Sequence, residues 1–206
     1  VDTVLDLRFF GTVFVTLFVI MDPPGVIPVF LGLTAGRTTA ERRRMAFQAV
    51  LTSFLVITVF AVAGETLLRY LGISLPALQL AGGLLLLIVA LQLLTGQHDV
   101  APSGNAAANI AMVPLGTPLL AGPGAIVATI LFVREAEGSS PDIIALGLAI
   151  VAVHVTLWLS MRYSVLIIRV IKESGVVLIS RIAGLLLSAI AVELVADAVR
   201  QFVEMP

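Results

Sequence analysis

Long apolar runs with almost no charge dominate this chain. They cover residues 9–21 and 26–33, then 45–68, 77–94, 110–133, 143–161 and 176–199. A run of ~20 apolar residues is enough to cross the ~30 Å hydrocarbon core of a bilayer. Inside that core every backbone polar group must be satisfied internally, so only helices and closed barrels span it. The apolar residues come in continuous runs rather than strict alternation, which excludes an outer-membrane barrel. Helices remain. Six spans consume ~120 residues, so a chain of 206 residues has short loops and no room for a soluble domain.

Composition agrees. The chain is 59% hydrophobic and 12% charged, whereas a soluble domain carries ~25% charged residues. Such a chain cannot cover the surface of a cytosolic enzyme, a nucleic-acid-binding module or a disordered protein. It has no cysteine, which excludes a disulfide framework, a thiolate nucleophile and a Cys metal site. The net charge is −1, with no basic or acidic tail. Asp2, Asp6 and Arg8 precede the first run and no small-residue cleavage site follows it, so it does not read as a cleaved signal peptide. The chain begins on Val1, which reads as the lack of a native start.

Two of the expected spans are interrupted. The first carries Asp22-Pro23-Pro24-Gly25-Val26-Ile27, and the fourth carries Pro114, Gly116, Pro118, Gly122, Pro123, Gly124, Ala125 and Ile126. The third contains Leu80-Ala81-Gly82-Gly83 and the sixth contains Ile182-Ala183-Gly184. Each half of the chain thus reads as a broken helix, a whole helix, and a whole helix with an Ala-Gly contact. Three spans are an odd number, so the second half enters the membrane inverted. The expected fold is an all-α membrane protein of six transmembrane helices in two inverted three-helix repeats, with helices 1 and 4 broken at Pro/Gly motifs. The whole chain, 1–206, forms one membrane domain, with repeat 1 at about 5–95 and repeat 2 at about 110–203. Inverted repeats with broken helices are a common build of secondary transporters. Simple kinks and close helix packing are the plainer readings of the same residues.

Proline removes a backbone donor and clashes with the carbonyl four residues earlier. The breaks therefore leave carbonyls near residues 19–22 and 119–122 without partners, and amides exposed near Val26, Ile27, Ala125 and Ile126. A half-helix N-terminus favours an anion and a C-terminus favours a cation. Two breaks facing each other would suit a zwitterion. Asp22 adds a carboxylate for an ammonium, H⁺ or Na⁺. Gly25, Ala121, Gly122 and Gly124 leave room for a small ligand, with no aromatic cage.

At these motifs the chain resembles the MarC family. Asp22-Pro23-Pro24-Gly25-Val26-Ile27-Pro28-Val29-Phe30 is similar to the family's first signature. Pro114-Leu115-Gly116-Thr117-Pro118 through Gly122-Pro123-Gly124-Ala125-Ile126 is similar to its second. Arg181-Ile182-Ala183-Gly184-Leu185 through Ala191 resembles its last helix. The resemblance implies transport of small neutral amino acids such as alanine and glycine across the bacterial or archaeal inner membrane, including export, with discontinuous helices 1 and 4. It does not imply drug efflux. Pro24 departs from the non-proline residue expected there, which stiffens the break. The candidate substrate-binding residues are Asp22, Pro24, Gly25, Val26, Thr117, Ala121, Gly122, Gly124 and Ala125. The partners expected are the amino acid and membrane lipid, without nucleic acid. No cofactor or metal is expected beyond a coupling ion, H⁺ or Na⁺.

Other polar groups carry open alternatives. His154 is a proton relay or a satisfied buried histidine, the second favoured. Gln48, Thr52 and Ser53 read as interhelical hydrogen bonds, and Gln79 and Gln92 as ends of helix 3. Glu65 and Arg69 are spaced as a local pair. Glu193 and Asp197 are membrane acids in the outer half, solvated, paired or functional. Trp158 and Tyr163 suit an interfacial belt. Loops 1, 3 and 5 hold eight of the 12 Lys and Arg residues, which puts that side in the cytoplasm and both termini outside. A passive channel for small polar solutes is the alternative function. An intramembrane enzyme is disfavoured, because no nucleophile motif surrounds Ser53 or Ser160. The chain contains no GxxxxGK[ST] loop for ATP.

Overall fold

The computed structural model describes residues 5–34, 36–95 and 120–204. These residues form helices α1 (Leu7–Met21), α2 (Pro23–Leu33), α3 (Thr39–Leu71), α4 (Leu75–Thr95), α5 (Pro123–Glu135), α6 (Ser140–Arg162) and α7 (Ser164–Glu204), with no strand among the described residues. Five stretches are long and apolar enough to cross a membrane: Leu7–Leu33, Thr39–Leu71, Pro76–Thr95, Ser140–Arg162 and Ser174–Val203. The fourth expected span is described only in its second half, α5. At 13 residues and 1.5 Å per residue, α5 is ~20 Å long and too short to span alone. Residues 110–119 and the expected loop 96–109 lie outside the described residues.

The exterior is apolar on several sides. Val15, Val62, Ile88, Val155 and Leu185 are all exposed. This inversion of the soluble pattern is what a lipid-facing surface requires. Among the described residues the interior holds two apolar clusters. One joins Val13, Leu17, Phe30, Ile57, Leu120, Ala149 and Leu157. The other joins Val19, Leu86, Ala90, Leu187 and Ala191 between α1, α4 and α7.

The Ala-Gly motifs build the α4–α7 contact from both sides. A Cβ on Gly83 would come within 2.8 Å of Val195 Cγ2 and 3.0 Å of the Ala191 carbonyl oxygen. A Cβ on Gly184 would come within 2.9 Å of Leu93 Cβ and 3.1 Å of the Ala90 carbonyl oxygen. Each glycine lets the partner backbone approach, as small residues do in membrane helix pairs.

Several boundaries differ from the expectation. Helix 2 was expected from about residue 45, but α3 starts at Thr39. Thr38 and Glu41 form a capping box there, with Thr38 N donating to Glu41 Oε2 at 2.8 Å and Glu41 N to Thr38 Oγ1 at 3.3 Å. That local signal carries the helix beyond its apolar segment. Residues 169–175, a polar stretch between the apolar runs 143–161 and 176–199 that reads as a loop, are helical except at Lys172, whose φ of 63° and ψ of 163° break α7.

Candidate functional site

The first break is a single residue. α1 ends at Met21, α2 starts at Pro23, and Asp22 between them is left-handed (φ 41°, ψ 66°). Two local rules combine here. A residue before proline is disfavoured in the right-handed helical region, and aspartate is among the few residues that tolerate the left-handed one. Pro23 and Pro24 occupy the first turn of α2, where their missing N–H groups cost least. They deprive the Val19 and Ile20 carbonyls of donors four residues on.

The expected set of orphan groups therefore needs correction. Asp22 N still donates to the Phe18 carbonyl at 3.0 Å, and Val26 N donates to the Asp22 carbonyl at 3.1 Å. Val26 is capped rather than exposed, and Ile27 lies one residue deeper in the helix. Gly25 alone contributes a first-turn N–H without an intrahelical acceptor.

At the second motif only the half-helix that follows is described, and its entry differs from the first. Gly122 precedes Pro123 at the head of α5 with extended backbone (φ −62°, ψ 159°), and Ile126 N donates to the Gly122 carbonyl at 3.2 Å. Ile126 too is satisfied. The first-turn donors without intrahelical acceptors are Gly124 and Ala125.

Asp22 is buried, with 6% of its surface exposed. Its carboxylate folds back over Gly25: a Cβ on Gly25 would overlap Asp22 Oδ2, come within 2.7 Å of Cγ, and reach Ser180 Oγ at 3.0 Å. Ser180 comes from α7 and is 2% exposed, and its hydroxyl has no hydrogen-bond partner among the described residues. Sequence reasoning missed Ser180. Its one signal is position, four residues before Gly184 and hence on the same helix face.

The remaining candidate residues divide. Val26, Ala121 and Ala125, with Met21 and Leu120 beside these motifs, belong to one buried apolar cluster, so both motifs enter the same core. Pro24 and Gly122 are half-buried. Gly124 is filled by its neighbours: a Cβ there would overlap Leu86 Cδ2 and lie 3.7 Å from Ile20 Cγ2. In this conformation the space at Gly25 and Gly124 is occupied by Asp22 and Leu86 rather than open to a ligand. Thr117 lies outside the described residues.

A cavity of about 690 Å³ approaches this core between α1, α5 and α7. Ile20 and Ala128 line it together with the charged residues Arg134, Glu135, Glu193 and Asp197. Gln79, 7% exposed, accepts from Gln201 Nε2 at 3.2 Å on its wall. Asp197 pairs with Arg200 at 3.6 Å, and Glu65 pairs with Arg69 at 3.6 Å as its spacing predicts.

His154 is a satisfied residue. Its Nδ1 lies 2.7 Å from the Ile150 carbonyl and its Nε2 lies 3.2 Å from Ser53 Oγ, with the Phe54 ring edge-on at 5.3 Å. A carbonyl only accepts, so Nδ1 carries the proton and Ser53 donates to Nε2 in the neutral ring.

Residues 7–203 match the family described as MarC family integral membrane protein. Among curated proteins the chain is 32% identical to the UPF0056 membrane protein MJ1677 of Methanocaldococcus jannaschii, over 95% of this chain and 98% of that one. It is 35% identical to a UPF0056 membrane protein of Archaeoglobus fulgidus, over 95% and 94%. It is 30% identical to the UPF0056 membrane protein YhcE of Escherichia coli, over 97% and 96%. No solved structure matches the chain.

Proposed function

The chain belongs to the MarC family of integral membrane proteins, and from that premise we propose that it is a secondary transporter of small neutral amino acids, alanine and glycine among them. It works by alternating access in the inner membrane, including export, and is not an enzyme. One observation carries the reading: a buried carboxylate, Asp22, stands at the one-residue joint of two half-helices, over Gly25 and beside the Ser180 hydroxyl. An ionisable group inside a membrane span is costly and marks a site by default.

The chemistry fits a zwitterion. Asp22 takes the ammonium and Ser180 adds a hydrogen bond. The first-turn N–H groups of Gly124 and Ala125, at the positive end of the α5 dipole, take the carboxylate. Pro24, Gly25, Val26, Ala121 and Gly122 surround the ligand, and their bulk limits its side chain to a methyl group or less; Thr117 stays a candidate from the sequence alone. Substrate enters through the cavity beneath Ile20, passing Glu193 and Gln79. Binding draws Asp22 off Gly25 and Leu86 off Gly124, opening the space that these side chains fill.

This reading includes a sixth span, built from α5 and the residues before it. The two halves are inverted repeats, and the reciprocal glycine contacts of α4 and α7 support that symmetry. Both termini face outward, and the coupling ion is H⁺ or Na⁺.

Counterflow tests the proposal. Proteoliposomes preloaded with unlabelled alanine, glycine or leucine are given labelled alanine, with H⁺ and Na⁺ gradients imposed in separate runs. Transient accumulation driven by alanine and glycine, and not by leucine, is the expected result. Passive equilibration without counterflow would identify a channel, and absence of flux would remove the amino-acid reading.

A further inference from the structure

The family resemblance leaves a second pocket unassigned, at the arginine-rich end of the bundle. It encloses about 280 Å³ between the start of α3 and the α6–α7 joint, and Arg42, Arg43, Arg162 and Arg169 line it with Tyr163 and Ser164. Among the described residues none of these four arginines forms an ion pair; the pairs that do form use Arg37, Arg69 and Arg200. Arg42 and Arg162 contact neutral groups. Arg42 Nε donates to the Thr34 carbonyl at 3.3 Å. The Arg162 guanidinium lies over the Trp158 ring at 4.9 Å and near the Tyr163 ring at 5.7 Å. Neutral partners orient a guanidinium without cancelling its charge. The pocket therefore concentrates positive charge in a recess, and Arg donors match phosphate oxygens in pairs.

The surroundings decide which phosphate. Val165 and Leu166 form part of the lining. They are 48% and 55% exposed, and Val170 beyond them is 72% exposed. These residues sit on the first stretch of α7, 164–171, which Lys172 separates from the membrane-crossing remainder. A cationic recess beside bare aliphatic side chains, level with a Trp and a Tyr, has the profile of the headgroup zone. A free phosphate has no use for the aliphatic rim, whereas a phospholipid covers it with acyl chain.

We propose that this pocket binds the phosphate of an anionic phospholipid, with its acyl chains lying along Val165, Leu166 and Val170. Basic pockets between membrane helices on the cytoplasmic side are suited to such headgroups. The site stands apart from Asp22 and does not depend on what the chain transports.

Trp158 is the sole tryptophan, so it reports on adjacent lipid. The full chain is placed in phosphatidylcholine bilayers containing a fixed fraction of acyl-brominated phosphatidylglycerol or acyl-brominated phosphatidylcholine, and Trp158 emission is compared. Stronger quenching by the anionic lipid is expected. Arg43→Gln with Arg169→Gln should lower that preference by about five-fold per arginine. Arg69→Gln, at the other end of α3, should leave it unchanged. Equal quenching by the two lipids would overturn the proposal, and so would a preference that survives the double substitution. Inorganic phosphate added at constant ionic strength provides the remaining arm. Loss of the lipid preference would make this a free-phosphate site and overturn the lipid assignment, while an unchanged preference supports it. Should the double variant fail to fold, the unmodified protein still decides through the lipid comparison and the phosphate arm.

Discussion

The carboxylate of Asp22 occupies the place where a side chain on Gly25 would begin. The two residues are three apart, across the first turn of α2, and the hydrogen on Gly25 is what allows the carboxylate to lie there. Gly25→Ala therefore forces Asp22 off its position and pushes toward Ser180 Oγ. Overpacking of this kind costs about 1–3 kcal/mol. The variant should fold with a lowered unfolding midpoint and lose alanine counterflow. Full counterflow in a folded Gly25→Ala protein would show that the Asp22 position is not used by the transport cycle.

Asp22 has a backbone role and a charge role, and two substitutions separate them. Asn tolerates the left-handed conformation nearly as well as Asp, so Asp22→Asn should keep the joint and the fold. It replaces a charged acceptor by a neutral one, which weakens a hydrogen bond to an ammonium by about 1.4 kcal/mol, or roughly tenfold in affinity. Asp22→Ala, which keeps no acceptor, should lose at least as much affinity and also about 1–2 kcal/mol of stability from the left-handed strain. Alanine-induced thermal stabilisation, measured for both, gives the comparison. Equal affinity in Asp22→Asn and the unmodified protein would remove the charge from the site.

The helix break at Asp22 was legible because proline and glycine act locally. Pro23-Pro24 forbids a continuous helix wherever it stands. What the motif did not give was the residue that absorbs the bend, because the left-handed turn falls on Asp22, before the prolines rather than at Gly25. The start of α3 was hidden for a related reason: the apolar run begins only at Met45, while the capping box at Thr38 and Glu41 is polar and works at the water boundary. Residues 169–175 read as a loop by polarity, yet polar residues outside the hydrocarbon do not oppose a helix, and only Lys172 departs from it. Ser180 was illegible for another reason. No sequence spacing ties it to Gly25, since the contact exists only after α2 packs on α7. His154 was left with two roles because its partner, Ser53, comes from a different helix.

Gly83 and Gly184 reach across the α4–α7 seam in opposite directions. Each meets a backbone carbonyl, at 3.0 and 3.1 Å from the ideal Cβ position, and carbonyls do not move aside as side-chain tips do. Gly83→Ala and Gly184→Ala should each cost about 1–3 kcal/mol by overpacking. The two substitutions together should cost less than their sum, because the separation that relieves one contact relieves the other. Thermal unfolding in one detergent at fixed protein concentration measures all three variants. A neutral result for both single variants would mean the seam is looser in solution than these contacts require.

The Ser53–His154 pair is the last relation to test, because its two roles predict opposite outcomes. As a structural bond, it satisfies a buried imidazole between α3 and α6. Ser53→Ala then strands Nε2 without a partner and should cost about 1–3 kcal/mol. His154→Leu removes the ring and leaves Ser53 free to bond the Ala49 carbonyl four residues back, a local alternative open to serine in helices. The double variant Ser53→Ala with His154→Leu, apolar on both sides, should be closer to the unmodified protein than Ser53→Ala alone. Transport should change little in any of them between pH 6 and 8, the range in which a free histidine titrates, at about 6.5. If His154 instead carries protons, His154→Leu flattens the pH dependence of counterflow and lowers its rate while the unfolding midpoint stays put. The double-mutant cycle in stability, read beside the pH profile of flux, separates these cases, because stranding an imidazole moves the midpoint and interrupting a relay moves the profile.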